Sequence, residues 1–413
     1  MPFAIIVLAL VLVLIAVRGA FGVRLPIWLI MLGGAVAVLT GGGLTPLAAI
    51  RAINLDVMLF LFGVFVLGQA LEASGYLFHL SYKLFRGARS ADALVWRILF
   101  GMGAASALLM NDTLAIIGTP LVLLLAKQHR MAPQVLLLAL AFAVTLGSVL
   151  SPIGNPQNLL IALHGGFANP FVEFAHSLAV PTLINLALTF FLLKRRYHAS
   201  FHGEALVHVR HEFRDPALAR LARFSLWLLV ALIAAKIVLA FGGVGEEFRL
   251  TYIALAAAAP ILLLSPRRVS ILRQLDWHTL VFFAALFVLM AAVWGSGFFQ
   301  SWMQGWNGGL TSIPLVLGVA VLLSQLISNV PLVALMLPLL VHAGASPKAL
   351  TALAAGSTVA GNLFILGAAS NVIIIQNAEK KTGHTLGFLE FARVGVPLTA
   401  INVLVYWLFL DVF

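Results

Sequence analysis

The 413-residue sequence contains no cysteine, which excludes disulfides, thiolate metal sites and cysteine nucleophiles. Charge is also scarce. Asp, Glu, Lys and Arg make up 9% of the chain, against roughly 25% in soluble domains. A soluble fold of this size could not cover its surface with so few charges. No phosphate-binding loop, zinc-protease motif or nucleophile elbow occurs, so an ATP-driven mode would need its ATPase on a separate subunit. Membrane-embedded enzyme chemistry lacks a paired acid, a metal cluster and an activated nucleophile, so no enzyme is expected. Dyad alternation is missing as well, which argues against an outer-membrane barrel.

What is present is apolar. Hydrophobic residues make up 62% of the chain, in many separate blocks, each about long enough to cross a ~30 Å hydrocarbon layer. The expected fold class is an all-α integral membrane protein. Its formal net charge of +11 would suggest nucleic acid in a soluble chain, but here it is read by position and no nucleic-acid partner is expected. The first apolar run, Phe3 to Val17, has no basic segment before it and no small-residue cleavage site after it. It reads as a retained helix.

Ten crossings are placed near 3–17, 25–41, 56–78, 133–163, 179–193, 224–241, 250–264, 278–298, 347–376 and 394–411. Two more apolar stretches, 93–126 and 311–343, are interrupted centrally by Asn111-Asp112-Thr113 and Ser328-Asn329. These read as re-entrant hairpins that enter and leave on one side. With both termini outside a plasma (inner) membrane, every Lys and Arg except Arg51, Arg249, Lys348 and the intrahelical Lys236 falls on the cytoplasmic side. That is the positive-inside bias.

The halves match segment by segment. Leu55-Asp56 opens one helix as Leu275-Asp276 opens another, and Asn111 stands nine residues before Pro120 as Asn329 stands nine before Pro338. TLGSVLSPIGNPQN (145–158) aligns without gaps on TVAGNLFILGAASN (358–371), and Phe171-Val-Glu173-Phe-Ala recurs as Phe388-Leu-Glu390-Phe-Ala. An odd number of crossings per half turns the second copy upside down. The expected organisation is a first inverted repeat (1–193), a basic cytoplasmic linker (194–223) and a second inverted repeat (224–413). Inverted repeats with interrupted helices mark secondary transporters, which hold substrate near the midplane. The linker carries His198, His202, His208 and His211 beside Glu204 and Glu212. A metal or pH-sensing role competes with a solvated loop, and the loop reading is preferred, with no metal site expected.

Pro152, Gly154 and Pro156 must unwind the helix around 151–157, and unwound backbone at that depth is tolerated only where it lines a protected polar cavity. Ser151, Asn155, Gln157 and Asn158 then face bound solute. Asn362, Ser370 and Asn371 do the same in the second half, and the hairpin tips add Asn111, Asp112, Thr113, Ser328 and Asn329.

The pairs NDTLAIIGTP with SPIGNPQNLLIA, and SNVPLVALMLP with GNLFILGAASNVIIIQNAEKKTG, resemble the ion transporter superfamily. Its members include ArsB-type arsenite permeases, NhaD-type sodium/proton antiporters, melanosomal P-type permeases and sodium–dicarboxylate symporters. The Asn111-Asp112 pair is similar to the first tip of the ArsB-like and P-type permeases. The symporters carry Ser-Asn-Thr at both tips, whereas Val330 takes the threonine place here. The resemblance implies a homodimer with scaffold and transport regions, moving elevator-fashion.

Asp112 is the strongest proton-coupling candidate, since the tip should meet the break at Ser151 to Asn158, away from bulk water. Glu72 is a second, although a reach to the headgroups suits it better. Snorkelling is likewise expected of Lys236, and the FxEFA segments read as interfacial helices. The expected function is secondary efflux of a small inorganic solute, arsenite or antimonite, by proton antiport. The coupling ion is a proton or sodium, no other cofactor is needed, and the remaining contacts are with membrane lipid. A sodium- or proton-coupled anion permease for dicarboxylate or sulfate, a sodium/proton antiporter and a channel are the alternatives.

Overall fold

The structure, a computed structural model, describes residues 2–17, 25–201, 213–241, 249–298, 301, 311–383 and 386–412. All regular elements among them are helical. The first half contains α1 (Phe3–Val17), α2 (Ile27–Thr40), the short α3 (Pro46–Ala52), α4 (Leu55–Ala73) and α5 (Tyr76–Phe85). The first hairpin follows: α6 (Ala91–Arg97) runs through a π turn into α7 (Gly103–Leu109), and α8 (Asn111–Gln128) returns. Next come α9 (Pro133–Val149), α10 (Pro156–His164) and α11 (Pro170–Arg196). The second half repeats the plan with α12 (Pro216–Phe241), α13 (Leu250–Leu264), the short α14 (Arg268–Gln274) and α15 (Trp277–Gly295). Its hairpin is α16 (Ile313–Ile327) and α17 (Asn329–His342), and α18 (Pro347–Val359), α19 (Ala369–Thr382) and α20 (Phe388–Val412) complete the chain.

Local chemistry fixes many of the starts. Thr45, Asn155, Asn169 and Ser346 each accept a backbone N–H from the first turn and are followed by proline at the head of the helix. The cap satisfies an orphan donor, and proline has none to lose. Six described helices are long and apolar enough to cross a membrane, by length and composition. The chain is a multi-pass membrane protein.

Burial is greatest along α9 and α18. Every residue from Val135 to Val149 and from Ala349 to Val359 is buried, and the two helices pack on each other at the centre. Small residues permit close approach. A Cβ on Gly147 would collide with the Gly103 carbonyl of α7. The packing pairs survive exchange of the halves. Thus α4 packs on α13 as α15 packs on α2, α7 on α9 as α16 on α18, and α8 on α19 as α17 on α10.

Several expectations need correcting. The FxEFA segments are not separate interfacial helices. Glu173 and Glu390 occupy the first turns of the unbroken α11 and α20, each of which continues through an internal proline. Packing from neighbouring helices allows proline to be carried inside a membrane helix. The crossing placed at 56–78 ends at Ala73, where left-handed Gly75 (φ +80°) turns the chain into α5. Lys236 is buried (6% exposed), where a reach to water was expected. His202, His208, His211, Glu204 and Glu212 lie outside the described residues, and His198 sits in a short 3₁₀ turn.

Candidate functional site

Each hairpin reverses on one residue. Met110 (φ 65°, ψ 145°) and Ser328 (φ 66°, ψ 157°) stand at counterpart positions in a region of φ/ψ that non-glycine residues avoid. Such a conformation costs about 1–3 kcal/mol and persists only where the surroundings impose it. In the first hairpin the reversal lies one residue ahead of the polar tip read from sequence, and in the second it falls on Ser328, within the tip as read. Asn111, Asp112 and Thr113 form the first turn of α8, and Asn329 opens α17.

The first tip meets the first break. The Asn111 backbone N–H donates to the Gly154 carbonyl at 3.0 Å, and the Asn111 side-chain oxygen accepts the Asp112 N–H at 2.9 Å. The break is clamped by asparagines. Asn158 Nδ2 lies 3.0, 3.2 and 3.1 Å from the carbonyls of Ser148, Val149 and Ser151, and Asn155 Oδ1 caps α10 at the Asn158 N–H, 2.8 Å. Thr358, from the other half, joins Asn155, Gln157 and Asn158 through its hydroxyl. In the second break Asn371 donates to the Gly361 carbonyl. Gln325 of α16 donates to the Ala360 carbonyl at 2.8 Å. Asn362 donates to Asn402 (3.0 Å), which donates to Asn185 (2.9 Å), all three fully buried.

Both tips and both breaks contribute to one cavity of about 400 Å³. Of the residues expected at the site, Asn111, Asp112, Gln157, Ser328 and Asn329 line it. Ser151, Asn155, Asn158, Asn362, Ser370 and Asn371 lie behind the wall, where most build the breaks, and Thr113 is buried behind the first tip. Ser324 and Gln325 complete the polar side. Ser324 and Gln325 went unread in the sequence, although each is a polar residue in an apolar arm close to a tip. The opposite wall is apolar, drawn from α1 and from α15 (Phe282, Phe283, Phe287). Among the described residues, no Lys, Arg or His lines the cavity, and Asp112 is its one carboxylate. The buried oxygens Asp112 Oδ1, Ser324 Oγ, Gln325 Oε1 and Asn329 Oδ1 have no partner among the described residues. The Gln325 NH₂ faces two carbonyls, of Val321 and Ala360, which fixes Oε1 as the free end.

Glu72 does not reach this cavity. It pairs with Lys381 in a separate pocket that also touches Ile116 and Pro120 of α8.

A family model described as Citrate transporter matches residues 10–348. The chain belongs to that family. Among its relatives, the 46 kDa membrane protein of Mycobacterium leprae is 27% identical, covering 85% of this chain and 84% of that protein. The silicon efflux transporter LSI3 of Oryza sativa is 26% identical over 89% of each chain. The P protein of Homo sapiens is 24% identical, covering 85% of this chain and 52% of that protein. The crystal structure of the Alcanivorax borkumensis YdaH transporter shares the fold, with a TM-score of 0.51, 15% identity and coverage of 100% and 98% of the two chains. Fold, family and relatives agree on a secondary membrane transporter, in keeping with the resemblance to the ion transporter superfamily.

Proposed function

We propose that the protein exports a small uncharged inorganic hydroxide, arsenite or antimonite, in exchange for protons. The observation that carries this reading is the cavity wall, which among the described residues has one carboxylate, several unpartnered acceptor oxygens and no basic group. Arsenite at neutral pH is a neutral trihydroxide, so each of its hydroxyls donates a hydrogen to such oxygens, and the hydroxyl oxygens accept from the free Asn111 amide. A buried acceptor left without a donor is costly, which favours cargo that brings donors. A bare citrate or sulfate brings acceptors and negative charge to Asp112. Likeness to a silicon efflux transporter points the same way, since dissolved silicon at neutral pH is also an uncharged hydroxide.

Asp112 supplies the coupling. As the tip faces each side in turn, its carboxylate loads a proton on one and releases it on the other, so solute and proton compete for one cavity. The halves act as inverted repeats (1–193 and 224–413) joined by the 194–223 linker, in a homodimer of the inner membrane with both termini outside. No cofactor beyond the coupling proton is required, and an ATPase subunit is optional.

The test is uptake into inverted vesicles under an imposed pH gradient, comparing arsenite, antimonite, silicic acid, citrate, sulfate and sodium. Gradient-driven arsenite uptake supports the proposal. Citrate uptake that needs sodium, without arsenite uptake, would assign the second reading, a cation-escorted carboxylate permease, which the family description favours.

A further inference from the structure

The C-terminal end of α19 is held by three other elements. Lys381 pairs with Glu72 at the end of α4. Lys380 Nζ donates to the carbonyls of Gln274 (3.0 Å) and Leu275 (2.8 Å), the negative end of α14. One turn earlier, the Gln376 amide lies 2.7 Å from the Thr279 hydroxyl of α15, which also lies 2.7 Å from the Asp276 carboxylate. One hydroxyl proton cannot serve both. The charged carboxylate takes it, so Gln376 turns its NH₂ to the threonine oxygen, which also satisfies an otherwise orphaned donor. Gln69 and Gln274 add a bond between α4 and the end of α14, 3.0 Å. A pocket of about 30 Å³ among Gln69, Glu72, Asp276, Asn377, Lys380 and Lys381 has room for a water.

The same helices reach the cargo cavity at their other ends. Asn54 and Val57 at the start of α4 line it, as do Ala369 and Val372 at the start of α19. Glu72 lies 18 residues beyond Asn54, about 27 Å along the helix. The cavity thus extends to the end of α4 away from Glu72, while the end near Glu72 carries the contacts just described. The other half has no equivalent. Ala292 stands at the place of Glu72, and no Lys or Arg occurs between Asn158 and Lys194.

We infer that Glu72, Lys380 and Lys381 are positioning residues that form a one-sided latch, which must release α19 before the cavity opens toward the Glu72 face. The inference rests on alternating access of the cavity but not on which solute it carries. Opening moves α19 off α4, α14 and α15, and the contacts just described are those that separate. Because no counterpart exists in the other half, the latch biases the resting protein toward one open state.

The absence of cysteine makes the test direct. Ala369→Cys, a small change in the cavity wall, is probed in vesicles of either orientation with a membrane-impermeant thiol reagent, without cargo. The expected result is labelling from the face opposite Glu72 and little from the Glu72 face. Glu72→Gln and Lys381→Glu should each raise the rate of labelling from the Glu72 face about fivefold, the scale of a partly screened ion pair. The double swap Glu72→Lys with Lys381→Glu should restore the parent rate. Unchanged sidedness in the folded single variants, or a swap that fails to restore it, overturns the latch. Failure of arsenite transport leaves this readout untouched, so the two proposals fail separately.

Discussion

Replacing Asn158 by leucine removes the side chain that clamps the first break. Its amide hydrogens are shared among the carbonyls of Ser148, Val149 and Ser151, and its oxygen accepts from Thr358 at 3.3 Å. The residue is fully buried, so no water replaces these bonds without reorganisation. Two amide hydrogens satisfy at most two of the carbonyls well, and leaving each of those unpaired costs about 1–3 kcal/mol. The expected destabilisation of Asn158→Leu is therefore about 2–6 kcal/mol by the same scale. Asn371 stands at the matching place but holds a single carbonyl, that of Gly361. Asn371→Leu should cost about half as much. The assay is thermal unfolding of the detergent-purified protein followed by size exclusion, with transport measured in parallel. Asn158→Leu should melt well below Asn371→Leu, and both should lose transport. Equal melting temperatures close to the parent's, with transport intact, would refute the assignment of these asparagines as clamps of the breaks.

Asp112→Asn keeps the shape of the tip but cannot change charge. It should retain solute exchange and lose uphill transport driven by a pH gradient, and concentrative transport at an unchanged pH optimum would move the proton path elsewhere. Gly147→Ala drives a Cβ into the Gly103 backbone and should destabilise by about 1–3 kcal/mol. Gly33→Ala in α2 meets nothing within 4 Å and should be neutral or stabilising, as melting curves will show. Cysteines at Lys127 and Lys194 should be labelled from one face of the membrane and a cysteine at Lys348 from the other. Labelling of Lys127 and Lys348 from the same face contradicts the inverted-hairpin topology.

Much of the fold was legible because membrane helices announce themselves as apolar blocks of fixed length. The helices over 3–17 and 250–264 appear with those very bounds. The breaks were legible for a related reason: Pro152, Gly154, Pro156 and the asparagines around them have no other use inside a membrane segment. The FxEFA segments misled: they read as interfacial helices, but α11 and α20 run unbroken from them through Pro181 and Pro397, carried by neighbouring helices. The reversal residue Met110 carries no signal, since strained backbone is imposed by surroundings and not by residue type, whereas Ser328 was legible as part of the polar tip Ser328-Asn329. The apolar wall from α1 and α15 was invisible because phenylalanine facing a cavity reads like phenylalanine facing lipid. Asn185 and Asn402 could have been found. Each lies 12 residues after the repeated glutamates Glu173 and Glu390, and they meet at the α11–α20 contact. In the sequence Lys380 and Lys381 register only as positive charges, since their partners on α4 and α14 are distant in sequence.

The most direct test of proton–solute exchange is a simultaneous record of both fluxes in proteoliposomes holding a pH-sensitive dye. Adding arsenite to one side, with no gradient imposed, should drive protons in the opposite direction. The proton signal should vanish in Asp112→Asn while arsenite equilibration persists. Arsenite movement with no proton signal in the parent protein, or a proton signal evoked by citrate or sodium and not by arsenite, would contradict the account.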